Sequence, residues 1–221
     1  MSVLNDLAKR INDTSTAHGF WPPEGRNFGE MIALAHSELS EALEEHRDGK
    51  PARYHQINLS ISTTVTPESA AILSKLRDIT PGEQQVLVSQ GIAKPEGAAV
   101  EVADCLIRCL DTLYSGTNDI DGVFVTFFKL HTQPTSLFEY NGLINYKLAE
   151  NFGEQLTNIH LKLSTAWSCY KDGHNSWRFA LIQTIALCMA TIAALGEDID
   201  AVVEEKMAYN ESRPYKHGRA Y

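Results

Sequence analysis

Residues 27–49, NFGEMIALAHSELSEALEEHRDG, recur without a gap as residues 151–173, NFGEQLTNIHLKLSTAWSCYKDG. Helical patterning accounts for paired apolar positions such as Leu39 with Leu163 and Ala42 with Ala166. It does not account for the shared Asn-Phe-Gly-Glu start, for His36 with His160, or for the closing Asp-Gly. A second correspondence follows, Asp119-Ile120-Asp121-Gly122-Val123 with Asp198-Ile199-Asp200-Ala201-Val202, each after an apolar helix containing a cysteine. The pattern implies tandem duplication of a helical hairpin. A hairpin with one apolar face cannot bury that face alone, so two copies predict a single all-α domain, a helical bundle. Residues 1–131 form the first repeat, 132–150 a connecting loop and 151–221 the second repeat.

The first copy carries acids that the second lacks. Glu38 and Glu41 are three apart on one predicted helix, as are Glu101 and Asp104 on another, so each pair lies on one helix face. An E-x-x-E taken alone is most often a solvated face. Two such helices packed through their apolar stripes, however, bring four carboxylates together, and these repel unless divalent cations sit between them. An all-oxygen site of this kind suits Mg²⁺ or Mn²⁺. The second copy has Lys162 and Thr165 opposite the first pair, and Thr184 and Leu187 opposite the second. It cannot hold a metal in the same way.

A net charge of −9 argues against broad binding to a nucleic-acid backbone but allows a small anion held through metal. The N-terminal stretch has no continuous apolar run of the signal-peptide kind, and the longest apolar segment, 179–195, is interrupted by Gln183 and Thr184. The expectation is a cytoplasmic protein without a membrane span, which holds equally for a virus-encoded enzyme acting in a host cell. The four cysteines form no C-x-x-C, and Cys105, Cys109 and Cys188 lie in apolar helical patterns, so reduced thiols are expected rather than zinc.

In chain order, residues 2–17 read as a helix ended by His18-Gly19, and Pro22 and Pro23 keep the following FWPPEGR out of helix. Trp21 in that connector either stacks on a base or anchors the loop to the core. Asn27 is the predicted N-cap of the first acidic helix, with Glu30 at its third position, and Gly49 and Pro51 close it. The second acidic helix is predicted over 95–113. Between them, the insertion at about 51–94 contains an extended stretch, HQINLSISTTVT, and two short helices begun by Thr66-Pro67 and Thr80-Pro81. It can cover the site, form a subunit contact or elaborate the surface.

The stretches NFGEMIALAHSELSEALEEHRDGKP, KPEGAAVEVADCLIRCLD and KMAYNESRPYKHGRAY, about a third of the chain, together resemble the all-α nucleoside triphosphate pyrophosphohydrolases of the MazG-like family. The family pattern of E-x-x-E followed by E-x-x-D is matched by Glu38, Glu41, Glu101 and Asp104. The long insertion departs from it, since the family has a short link there. The resemblance implies Mg²⁺-dependent hydrolysis between the α and β phosphates, with Glu38, Glu41, Glu101 and Asp104 as metal ligands. Glu41 and Glu38 are then the catalytic candidates, Glu41 foremost as acceptor of the water's proton. It implies phosphate contacts from Lys206, Asn210, Arg213 and Lys216, with His217 and Arg219 as weaker candidates. Trp21, Asn27 and His36 become candidates for contact with the base, and a homodimer is expected. A relative restricted to dUTP, dCTP or phosphoribosyl-ATP stays open, as does a regulatory protein that binds nucleotides without cleaving them. A di-iron bundle would need Glu-x-x-His pairs, which the chain lacks.

Overall fold

A computed structural model describes residues 3–57, 66–75, 79–117 and 119–215. It is mostly helical, which bears out the all-α class. The elements in order are α1 (Val3–Ala17), α2 (Phe28–Arg47), β1 (Tyr54–Ile57), α3 (Pro67–Leu73), α4 (Pro81–Ser89), β2 (Ala93–Glu96), α5 (Ala98–Tyr114), α6 (Ile120–Phe128), α7 (Leu137–Ile144), α8 (Phe152–Lys171), α9 (Trp177–Ala194) and α10 (Ile199–Ser212). One core unites α1, α2, α5, α8, α9 and α10 around the buried Leu39, Leu106, Leu110, Ile159, Ile185 and Val202. Helix α9 is long and apolar enough to cross a membrane, and 72% of it is buried inside the bundle. Being apolar on every side, it suits the centre of a core.

The two long helices of the repeated stretch are built alike and packed on each other. Asn27 Oδ1 accepts from the Glu30 N–H at 3.1 Å, and Asn151 Oδ1 accepts from Glu154 at 2.9 Å. Each cap satisfies one of the N–H groups that the first helical turn leaves without a partner. At the other ends, Gly49 (φ 67°) and Gly173 (φ 74°) take the left-handed conformation that stops a helix. Equivalent residues then meet reciprocally. Phe28 stacks on Tyr170 with ring centroids 3.9 Å apart, Phe152 lies 4.4 Å from His46, and midway His36 stacks on His160 with their Nδ1 atoms 2.6 Å apart. These contacts run α2 and α8 antiparallel about an axis through the histidine pair.

The connector expected as a loop over 132–150 contains α7. Its N-terminus is held by Asp200, whose carboxylate accepts from the Leu137 and Phe138 N–H groups at 2.9 and 3.0 Å. Asp121, the counterpart of Asp200 in the sequence repeat, does the same for α1, accepting from Leu4 at 3.1 Å and Asn5 at 2.8 Å. Helix α7 is therefore placed like a shortened α1. The sequence hides this because an eight-residue helix has too few apolar positions to set a period.

The insertion is not wholly helical. β1 and β2 pair antiparallel, Tyr54 opposite Glu96 and Ile57 opposite Ala93, and enclose α3 and α4. A small separate core of Ile72, Leu87, Val88, Ile92 and Ala93 closes over Tyr209 of α10. Pairing takes Lys94-Pro95-Glu96 into β2, so the second acidic helix begins at Ala98 and not at 95. Gly97 makes the corner with φ 113°, and a Cβ there would lie 2.5 Å from the Ala52 carbonyl oxygen, so only glycine fits. The part of the extended stretch beyond Ile57 lies outside the described residues.

Asp121 is buried and also accepts from the Tyr140 hydroxyl at 2.6 Å, whereas Asp200 is only partly buried. Asp121→Ala should therefore cost about 3 kcal/mol and Asp200→Ala about 1 kcal/mol of unfolding free energy, measured by urea denaturation.

Candidate functional site

Helices α1, α2, α5 and α10, with the 18–27 connector, surround a cleft of about 1140 Å³. Its acidic end is made by α2 and α5. Glu38 projects from the buried stripe of α2, while Glu101 and Asp104 lie one turn apart on α5, and ligand oxygens of all three fall within 4.8 Å of one another. Glu41, one turn further along α2, is exposed and lines the cleft outside this trio. Its charge still helps to raise the pKa values of Glu38 and Glu101.

Two cations hold two of the three acids. Lys206 of α10 is almost wholly buried with Nζ 2.8 Å from Asp104 Oδ2, and Arg108 of α5 donates Nε–H to Glu38 Oε1 at 2.6 Å. Asn210, one turn after Lys206, also bonds Asp104. Burial alone would raise the Asp104 pKa; Lys206, Arg108 and the bonds from Lys206 and Asn210 outweigh it and hold the group below the usual range. Burial likewise works against the charge of Lys206, and Asp104, Glu101 and Glu38 overcome it, raising its pKa.

Glu101 has no such partner. Only 2% of it is exposed, and among the described residues its carboxylate makes no hydrogen bond. Burial first, then the neighbouring acids, push its pKa up to about 8, with Lys206 opposing. Glu38 is raised to about 7 by burial and by Asp104, with Arg108 opposing. A buried, unbonded carboxyl between two acids is a position that a cation would satisfy, and the all-oxygen donor set matches a hard divalent ion.

The remaining candidates divide. Asn27 lines the cleft, though its side-chain oxygen caps α2. Arg213 also lines it, with its guanidinium 5.8 Å from the Tyr209 ring centroid and its carbonyl accepting from His18. Lys216, His217 and Arg219 lie outside the described residues. Two expectations are corrected. Trp21 does not line the cleft, because its indole N–H donates to Asp111 Oδ1 at 3.0 Å and its ring packs against the core. His36 faces away from the cleft onto His160, on the opposite side of α2 from the acids. Glu45 stands apart as well, accepting from Lys50 and Tyr54.

The cleft residues that were not among the sequence candidates include Lys94, Arg26, Arg108 and Asp111. Lys94 arrives only through the β-ribbon, which spacing did not reveal. Arg108 and Asp111 had a signal, since they follow Asp104 by one and two turns and so share its face of α5. Thr184 and Leu187, which the sequence alignment sets opposite Glu101 and Asp104, lie inside the core: Thr184 is buried and bonded to the Ala180 carbonyl, and Leu187 is buried.

Because the folded pKa of Glu101 lies above its ordinary value, the unfolded chain gives up this proton first as pH rises. The stability it contributes is full below about pH 4.5 and is lost as pH rises through about 8. Glu101→Gln should therefore raise the Tm of metal-free protein at pH 8.5 by roughly 4–8 °C, for about 2 kcal/mol, and leave it unchanged at pH 4.5, as read by differential scanning calorimetry. Comparison of the chain with protein-family models, with curated proteins and with solved structures finds no match.

Proposed function

We propose that this chain is a Mg²⁺-dependent nucleoside triphosphate pyrophosphohydrolase, cleaving between the α and β phosphates, with a fold made by tandem duplication of a MazG-like helical unit. The observation that carries the activity is the trio of Glu38, Glu101 and Asp104 facing Lys206, with Glu101 buried and unbonded, in a cleft large enough for a nucleotide. The reciprocal contacts of α2 with α8 support the duplication. They are isologous, each residue meeting the partner of its own counterpart, as at the two-fold interface of a dimer. The internal pairing then stands in for a dimer of a shorter ancestor.

Glu38, Glu101 and Asp104 would hold Mg²⁺, with Glu41 beside them at the rim. Four carboxylates facing Arg108 and Lys206 leave a deficit of two positive charges, which one divalent ion balances. When bound, Mg²⁺ would neutralise the triphosphate and lower the pKa of a coordinated water. Exposed in the cleft, Glu41 is placed to accept that water's proton, while Glu38 stays tied to Arg108. Lys94 and Arg213, which line the same cleft, would donate to phosphate oxygens. Lys206 and Asn210 position Asp104 and thereby the metal end of the cleft.

Incubation of the purified protein with each common NTP and dNTP, followed by anion-exchange chromatography, should give monophosphate and pyrophosphate with Mg²⁺ and nothing with EDTA. Glu38→Gln and Glu101→Gln should each lower kcat by at least about 100-fold. Diphosphate and inorganic phosphate as products, or undiminished turnover in EDTA, would overturn the assignment.

A further inference from the structure

The end of the cleft opposite the acids holds a second charged group that the proposed chemistry does not use. Arg26 leaves the connector before α2 and places Nη1 3.5 Å from Asp111 Oδ2. Its guanidinium carbon lies 6.0 Å from the Phe20 ring centroid and 5.8 Å from that of Trp21. Only 16% of the side chain is exposed, yet among the described residues none of its N–H groups makes a hydrogen bond. A guanidinium carries five donors, and the Arg26 nitrogens are not among the fully buried atoms without a partner, so they stay open to the cleft that the residue lines. Burial and the neighbouring charge of Arg108 lower the Arg26 pKa, against the pull of Asp111 and Glu30. Both residues line the cleft.

Asp111 is the reverse case. Its Oδ1 accepts from Asn12 Nδ2 at 2.9 Å and from Trp21 Nε1 at 3.0 Å, the Trp21 N–H also lies 3.2 Å from Oδ2, and Ser15 adds a further bond to the carboxylate. These partners come from α1 and from the connector, and they fix the carboxylate in place. Oδ2, which the Trp21 N–H reaches only at 3.2 Å, thus lies beside the unbonded donors of Arg26 on the wall of the cleft.

We propose that Arg26 and Asp111 form a base-recognition subsite that selects cytosine nucleotides; the inference rests on the cleft being the nucleotide site proposed above. The pairing edge of cytosine offers an amino donor, then the N3 and O2 acceptors in a row, matching one carboxylate oxygen followed by two guanidinium N–H groups. Guanine's pairing edge presents one acceptor and two donors, which would need two free carboxylate oxygens, and turning its O6/N7 edge to the arginine fork brings no donor to Asp111 Oδ2. Uracil and thymine alternate acceptor, donor, acceptor, so their N3–H meets a donor. Adenine lacks the third group and leaves an arginine N–H without a partner, and a site built to bond a group rejects the analogue that lacks it. The placement fits: Asp111 follows Asp104 by two turns on the same face of α5, roughly 10 Å along the helix, room for a pentose between phosphate and base.

The test is isothermal titration of the full chain in Mg²⁺ with the α,β-imido analogues of dCTP, dTTP, dUTP, dATP and dGTP, which bind without being cleaved. The dCTP analogue should bind at least about 10-fold more tightly than each of the others, the range expected for one bidentate arginine contact. Arg26→Met should bring all five within about 2-fold of one another. Arg26→Lys, which keeps the charge and loses the fork, should do the same. Equal affinities in the wild type, tighter binding of another base, or a cytosine preference that survives both substitutions would overturn the subsite. Turnover separates this inference from the one beneath it. Cleavage of all five dNTPs with equal kcat/KM would overturn the subsite and leave the pyrophosphohydrolase standing, whereas cytosine-selective binding without cleavage would do the opposite.

Discussion

The buried pair of Lys206 with Asp104 is the contact on which the architecture around the cleft depends. Ions taken out of water are tolerated only when paired at close range, and loss of one partner leaves the other charge buried without compensation. Lys206 reaches α5 only because α10 lies along it, and α10 is kept there from two sides. One is the main core, through Val202, Val203 and Met207; the other is the small core of the insertion, which closes on Tyr209. A surface position for the insertion and a role in the site are thus not alternatives. The insertion braces α10 while its strand β2 carries Lys94 to the cleft.

The frame that holds these charges is nearly two-fold. The axis passes between His36 and His160, and the aspartates that tether α1 and α7 obey it as well. Symmetry of this kind lets one set of packing solutions serve twice, yet the chemistry is one-sided. Acids of the first half face Lys206, Asn210 and Arg213 of the second. The acid trio comes from the first half of the chain and Lys206 from the second, so neither half would supply the proposed site alone.

Much of this arrangement was readable from residue spacing. The caps at Asn27 and Asn151, the apolar stripes of α2 and α8, the acid pairs and the repeat itself are local patterns, and helices are set largely by local pattern. What escaped was set by long-range contact. The four-residue strands form because their edges meet across more than thirty residues, and α7 because Asp200 meets it from α10. Side-chain direction was the other blind spot. Spacing put His36 and Glu38 on one helix, but the packing partner decided which faced the cleft. An aromatic residue in the connector suggested stacking on a base, while a buried carboxylate at Asp111 recruited the Trp21 indole instead.

The apolar centre of the bundle bears directly on the stability of the acid cluster. Helix α9 carries no acid and is the apolar centre of the bundle. Helix α5, packed against it, bears three acids and an arginine on one face, among them Glu101, which is held without a bond and destabilises the metal-free protein as its proton leaves. Binding sites commonly hold groups in arrangements that cost stability, and that cost has to be met elsewhere in the fold. Here the two roles fall on different helices: α5 carries the strained charges, and α9 is the hydrophobic core that keeps them in place.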